Sequence, residues 1–204
     1  MALSRLLQTL ALLYKMQPAD VTTLSDDLYA RRQIEWMTAM SAEARRHGCS
    51  QLGQPPQRQD AAELRRMADD DATSIANTWN KDLERQLIKL FEANPRGNRN
   101  YYFSNLERWA SERDRWKLPQ IALQTAQTTR FYAQQRFRTE NGVRGRFIFT
   151  GPPPVCKICV REFAQGVVSE RYVLNHPCPR HVGCPHEWEQ LRPERLACDA
   201  IWLG

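Results

Sequence analysis

Four of the six cysteines and three of the four histidines of this 204-residue chain lie within one segment, residues 155–188. Cysteine thiolates and histidine imidazoles are preferred zinc ligands, and four of them around one ion fix the backbone that supplies them. This clustering therefore constrains the fold of the C-terminal part of the chain more than any other feature of the sequence.

The spacing within the cluster selects the candidate ligands. Cys156 and Cys159 form a Cys-x-x-Cys knuckle, and a His-x-x-Cys formed by His181 and Cys184 follows after 21 intervening residues. Two knuckles separated by a loop of about 15 to 25 residues are common in structural zinc sites. We predict that Cys156, Cys159, His181 and Cys184 bind one Zn²⁺.

The fourth ligand is less tightly determined than the three cysteines. His186 is the next choice after His181, and Cys178 is the third. His176 stands beside Pro177 and is interpreted as a turn residue. The spacing alone leaves these alternatives open.

The site is predicted to be structural. A catalytic zinc keeps one coordination position open for water and needs a general base. Glu162 and Glu187 are the nearby acidic candidates for such a base, and the chain has no His-Glu-x-x-His motif. We therefore expect no enzymatic activity.

The N-terminal residues are patterned as an ordinary packing helix, a membrane-active or partner-binding helix being the alternative. Leucines recur every three or four positions in residues 1–16, and polar residues interrupt the apolar run. Without an export signal, we expect all six cysteines to be reduced, with Cys49 and Cys198 as ordinary thiols. No apolar run reaches the roughly 18 residues that span a bilayer, so no membrane partner is expected.

The residues before about position 141 are predicted to be mainly helical. Ser25 is a candidate N-cap followed by two acidic residues, and its helix is expected to end at Gly48. After a linker rich in proline and glutamine, Asp60 begins the most regular helix, which residues 94–98 end.

Two more helices are predicted before the pattern changes. One runs from about Tyr102 to Arg115, and the next has Pro119 in its first turn and ends at Asn141 and Gly142. Beyond Gly142, the alternating sequence RFIFT predicts a short strand, and Gly-Pro-Pro-Pro excludes a helix.

These elements predict a mainly α protein with three parts. Residues 1–59 form an N-terminal helical arm, and residues 60–142 form a helical body. Residues 143–204 form a small, loop-rich α+β domain that zinc stabilises.

The positive charge of the chain is concentrated in one segment. The net charge is +6, yet residues 96–146 contain eleven basic and four acidic residues, so the remainder has a charge of −1. Aromatic residues are interleaved with the basic ones, and their spacing suits a core at least as well as a stacking platform, so a solvated helix face above an aromatic core is the preferred interpretation. The alternative is a surface that faces nucleic acid.

Three motifs in residues 121–188 support a family resemblance. The helix IALQTAQTTRFYAQQRF is followed by Gly142 and RFIFT; CKIC and Gly166 come next; RHVGCPHEW comes last. This order resembles the C-terminal domain of the phage Mu F-like minor head proteins, the phage head morphogenesis family. The chain departs from the family pattern where Val182 and Gly183 replace Pro-Asn, and where LQTAQTT lacks an acidic residue.

The resemblance implies a virion structural protein that is present in few copies within a symmetric assembly. Its implied partners are the portal and/or major capsid protein, and its implied location is the phage head near the portal, after assembly in the host cytoplasm. No enzymatic activity accompanies this domain. The basic segment 96–146 would then face packaged DNA, because phosphate contacts release counterions without reading sequence.

The competing hypothesis is a zinc-containing nucleic-acid-binding protein, either sequence-independent or regulatory. The chain lacks the Cys-x2-Cys and His-x3-His finger with its recognition helix. A zinc-dependent hydrolase or nuclease is the third hypothesis.

Overall fold

The computed structural model of the chain describes residues 21–154, 156–178, 184–193 and 195–204. The helix predicted for residues 1–16 lies outside the described residues, and so does His181. Within the described residues, no helix combines the length and the apolarity needed to cross a membrane.

Long helices make up the first part of the described chain. They are α1 (Val21–Arg46), α2 (Arg58–Ala93) and α3 (Arg99–Glu140). The predicted end of α1 is confirmed, since Gly48 has a φ of 87°, a conformation that glycine adopts at little cost. Gly142 ends α3 in the same manner, with a φ of 63°.

Two helix predictions were wrong. Ser25 is not an N-cap, because it lies inside α1, where its hydroxyl donates to Asp69. Pro119 does not begin a separate helix, because α3 continues through it. A proline inside a helix removes one hydrogen bond. Residues 115–120 are all exposed, so water solvates the carbonyl that this leaves unpaired.

The C-terminal part contains a small antiparallel sheet and two short helices. In chain order the elements are β1 (Arg146–Thr150), α4 (Lys157–Ala164), β2 (Val168–Ser169), α5 (Glu170–Asn175) and β3 (Glu187–Leu191). The strand order is β2-β1-β3, and Phe149 pairs with Trp188 across β1 and β3. The predicted fold class, a helical body with a small α+β part, is confirmed.

The described chain forms two compact units. One comprises residues 21–30 and 65–119, and the other comprises residues 31–64 and 120–204. In the first unit, Leu87, Leu90, Tyr102 and Leu106 form a buried cluster between α2 and α3. The domain boundaries that the sequence placed after residues 59 and 142 stay a prediction.

Ion pairs hold helices together inside the second unit. Glu35 accepts from Arg130 at 2.8 Å, and the buried Asp60 accepts from Arg136 at 2.8 Å. Arg130 and Arg136 belong to the basic segment 96–146, so part of its positive charge is balanced within the protein.

Arg138 of the same segment is also unavailable to a partner, because it is fully buried. Its guanidinium lies over the ring of Phe147 at 4.6 Å and 4.0 Å from the carboxylate of Glu43. Burial lowers the pKa of Arg138, and Glu43 opposes that shift.

Within the second unit, a disulfide and hydrogen bonds attach the C-terminal residues to the segment that follows α1. Cys49 and Cys198 are joined, with their Cα atoms 5.5 Å apart, within the usual range for disulfides. The prediction that these two were ordinary thiols was wrong, because a sequence separation of 149 residues concealed their proximity. Leu196 donates to the carbonyl of His47, and Gln54 donates to that of Leu203.

This disulfide predicts a thiol count for the protein purified in air. Alkylation under denaturing conditions with a chelator should label four cysteines, and six after reduction, as counted by mass spectrometry. In the Cys49→Ser variant, all five remaining cysteines should be labelled without reductant. Labelling of all six in the unreduced wild-type protein would contradict the disulfide.

Candidate metal centre

The first knuckle lies at the beginning of α4. Cys156 is the N-cap of this helix, and its Sγ accepts from the amide of Cys159 at 3.3 Å. The side chain of Cys159 turns inward and is buried. A sulfur at a helix N-terminus faces amide donors and the positive end of the helix dipole, and both favour the thiolate form that binds metals.

The second group of ligand atoms comes from the residues leading into β3. Cys184 and His186 are buried, whereas Pro185 between them is exposed. In extended backbone, residues two apart point to the same side. The Sγ of Cys184 therefore lies close to the His186 ring, 3.4 Å from its Nδ1. The same sulfur lies 3.5 Å from the Sγ of Cys159.

The orientation of the His186 ring is fixed by a hydrogen bond. Its Nε2 lies 2.8 Å from the carbonyl oxygen of Pro152, and because a carbonyl only accepts, the proton belongs on Nε2. The lone pair of Nδ1 then points toward the two sulfurs. Metal-binding histidines usually make such a hydrogen bond through the other ring nitrogen.

The surroundings of His186 also restrict its ring. It stacks on Phe149, with ring centroids 5.1 Å apart, and meets the edge of Phe163. Gly151 has a φ of 142°, and a Cβ there would lie 2.6 Å from the imidazole. Only glycine therefore permits this close approach.

The separations of the ligand atoms fit a tetrahedral ion. Those of Cys159, Cys184 and His186 all lie within 4.8 Å of one another. In tetrahedral zinc geometry, the sulfur–sulfur distance is about 3.8 Å and the sulfur–nitrogen distance about 3.6 Å. The observed 3.5 Å and 3.4 Å are close to these values. A disulfide would need about 2.05 Å between sulfurs.

The surroundings of Cys159 disfavour the charged form of its thiol. Burial raises the pKa of the Cys159 thiol, and the side chains of Cys156 and Cys184 raise it further. The same contacts place the sulfur of Cys156 beside the group. A bound divalent cation reverses this preference, because it stabilises the thiolates that it binds.

The structure brings together some of the predicted ligands and leaves others apart. Cys159 and Cys184 converge with His186, the second choice for the fourth ligand. The predicted ligand Cys156 lies outside this group of three, although its sulfur contacts Cys159. His181, the first choice, lies outside the described residues, so its prediction stays untested. Cys178 is buried in the same hydrophobic cluster without belonging to the group of three.

His176 has a structural role at the end of α5, in agreement with its interpretation as a turn residue. It is the C-cap of that helix, and its ring stacks on Tyr172 with centroids 3.9 Å apart. Its carbonyl accepts from the indole of the buried Trp188 at 2.7 Å. This contact links α5 to β3.

The residues around His186 alternate between buried and exposed, and this alternation marks His186 as a candidate ligand. From Cys184 to Gln190, buried and exposed residues alternate without interruption, as expected for a strand with one face covered. The sequence CPHEWEQ shows this alternation, and it places His186 on the buried side with Cys184 and Trp188. Knuckle spacing alone does not reveal it.

The two acidic residues considered as catalytic bases differ in their surroundings. Glu162 is buried, and its carboxylate accepts from the hydroxyl of Tyr172 at 3.0 Å. Glu187 is exposed and lines a cleft of about 280 Å³ beside His186. The amide of Gln127, from α3, also lines this cleft and donates to the carbonyl of Cys184.

Comparison with known proteins identified no relative of this chain. The chain matches no family model, and no curated protein or solved structure resembles it significantly. The geometry of the site and the sequence motifs therefore supply the evidence on function.

The geometry predicts which histidine holds a metal. Loss of the hydrogen-bonding partner of a metal-binding histidine lowers metal affinity by about 10- to 100-fold. His186→Ala removes the ligand itself, so it should lower metal affinity by more than this. His181→Ala and His176→Ala are matched controls, and both should retain the metal. The measurement is metal content after dialysis against a graded series of chelator concentrations. Loss of metal from His181→Ala and retention by His186→Ala would reverse the assignment.

Proposed function

We propose that the chain is a structural protein of a bacteriophage head, with a C-terminal part held together by one Zn²⁺. Cys156, Cys159, Cys184 and His186 would be its ligands. The observation that supports the metal site most strongly is the convergence of two thiols and an oriented imidazole within a buried cluster. The resemblance of residues 121–188 to the minor head family supports the setting.

Zinc is the metal that this donor set fits best. Three thiolates and one imidazole are soft and borderline ligands, and Cys₃His sites of this kind bind zinc in tetrahedral geometry. The ligands come from the N-terminus of α4 and from the residues before β3. The sulfur–sulfur separation of Cys159 and Cys184 and the sulfur–nitrogen separation of Cys184 and His186 are close to tetrahedral edges.

The role of the metal would be to hold two segments of a very small fold together. The sheet has three strands, and β2 has only two residues, so it buries little surface by itself. Zinc would join α4 to β3 across 25 positions of sequence between Cys159 and Cys184. A structural zinc site contributes on the order of 10 kcal/mol to the fold that it closes.

The order of the elements supports the proposed place in a phage head. Helix α3 is followed by β1, by the knuckle at Cys156 and Cys159, and by Cys184 and His186, the order of the motifs in the minor head family. We propose the portal and/or major capsid protein as partners, few copies in a symmetric assembly, and a location in the phage head near the portal. The protein would have no enzymatic activity.

Metal-assisted hydrolysis is the second candidate function, and one observation favours it. The cleft beside His186 is lined by the exposed carboxylate of Glu187, which could activate a water molecule. This function requires an open position on the metal. Four protein ligands would fill the tetrahedron, and for this reason we favour the structural role.

The head assignment predicts where the protein is found. The heads are purified from the phage whose genome encodes the chain. Quantitative mass spectrometry should detect the chain in them, in an amount that is a small fraction of that of the major capsid protein. The signal should persist after nuclease treatment and a high-salt wash, because a structural component is not an adsorbed contaminant. Heads that contain the portal protein and lack this chain would contradict the assignment.

A further inference from the structure

A basic groove lies between α2 and α3 in the unit formed by residues 21–30 and 65–119. Its volume is about 270 Å³. Four of the side chains that line it are cationic and one is anionic: Arg85, Lys89, Arg113, Lys117 and Asp82.

The single acidic residue of the groove is already engaged. Asp82 accepts from Nε of Arg113 at 3.1 Å and from its Nη2 at 2.8 Å, and Arg85 lies 3.8 Å away. Among the described residues, no other acidic side chain forms an ion pair with the groove's cations. Lys89 and Lys117 are exposed. The groove therefore has an excess of positive charge.

This charge is local to the groove. Residues 21–30 and 65–119 contain eleven acidic and eleven basic residues, so they are neutral as a set. The groove has four cationic side chains and one carboxylate that is already paired. The positive charge is therefore concentrated at the groove, although residues 21–30 and 65–119 are neutral as a set. Segregated positive charge in a concave surface attracts polyanions.

Aromatic residues accompany the cations. Trp109 lines the groove and packs on Trp79, with ring centroids 5.5 Å apart, while Arg113 lies 4.6 Å over the Trp79 ring. Trp116 is 72% exposed. It follows Trp109 by seven residues and therefore lies on the same side of α3. Its indole is therefore accessible to a partner.

We propose that this groove binds single-stranded nucleic acid, with Arg85, Lys89 and Lys117 contacting phosphates and Trp116 stacking on a base. The Cβ atoms of helix residues four positions apart, such as Arg85 and Lys89, lie about 5–6 Å apart, so their flexible side chains can reach neighbouring phosphates of one strand. Stacking on an aromatic side chain tolerates any base. An acidic peptide would use the cations and leave the indole without a partner.

The proposed site overlaps the basic segment 96–146 only in part, because Trp116 and Lys117 belong to that segment and the other two residues do not. Arg85 and Lys89 precede residue 96, whereas Arg130, Arg136 and Arg138 of the segment make contacts within the protein. The proposal differs from the proposed function, because it requires neither the metal nor assembly into a head. Failure of either proposal would leave the other standing.

The first experiment is fluorescence anisotropy with a labelled oligothymidylate of about 15 nucleotides, near the upper size of a single-strand binding site. The full chain should bind it more tightly than a duplex of the same length. With three phosphate contacts, the slope of log K against log salt should be about −2. Lys89→Glu should weaken binding at least about tenfold, because it replaces a phosphate contact with a repulsion.

Matched variants separate a groove from general charge attraction. Arg144→Glu changes the net charge by the same amount as Lys89→Glu, and Arg144 is an exposed residue outside the groove. Arg144→Glu should change the affinity for the oligonucleotide by no more than about twofold. Trp116→Ala should weaken binding about tenfold, the effect of one stacked base, and Trp116→Phe should restore most of it. Circular dichroism should show unchanged folding in each variant.

Several results would overturn the proposal. Equal losses from Lys89→Glu and Arg144→Glu would mean attraction by net charge alone. Equal affinity for the duplex, with no effect of Trp116→Ala, would exclude a stacked single strand. Polyglutamate that competes as well as the oligonucleotide would indicate an acidic protein partner, and absence of binding at low salt would exclude the site altogether.

Discussion

The C-terminal part of this protein depends on the meeting of two sulfurs and one imidazole. The Sγ atoms of Cys159 and Cys184 lie 3.5 Å apart, and Nδ1 of His186 lies 3.4 Å from the second sulfur. Burial disfavours the ionised form of the Cys159 thiol when no cation is bound. A cation would turn this unfavourable grouping into the strongest link between α4 and β3. The aromatic residues around it complete the link, since Phe149 contacts both His186 and Trp188.

The neighbouring residues prepare the site for such an ion. Helix α4, which Cys156 caps, directs the amide of Cys159 toward the sulfur of Cys156, and the carbonyl of Pro152 fixes the proton on Nε2 of His186. Gly151 leaves room for the ring. Because backbone groups provide these contacts, the orientation of the ligands follows from the local fold rather than from flexible side chains. This is the arrangement expected for a structural metal, which would join the segments around a small sheet.

Local sequence patterns predicted much of the fold and part of the site. The ends of α1 and α3 follow from Gly48 and Gly142, whose left-handed backbone is a property of glycine itself, and the knuckle follows from fixed spacing. Long-range features could not be predicted in this way. The disulfide joins Cys49 to Cys198 across 149 positions, and nothing local to either residue indicates the other. The continuity of α3 through Pro119 depends on solvent exposure around it, which the local helix signals did not reveal.

The central claim is that a Cys₃His set binds zinc and closes the C-terminal fold. X-ray absorption at the zinc edge of the purified protein tests it most directly, because it counts sulfur and nitrogen neighbours independently of any variant. We expect three sulfurs at about 2.3 Å and one imidazole nitrogen at about 2.0 Å. A shell composed mainly of oxygen and nitrogen, or a folded C-terminal part in protein that contains no zinc, would contradict it.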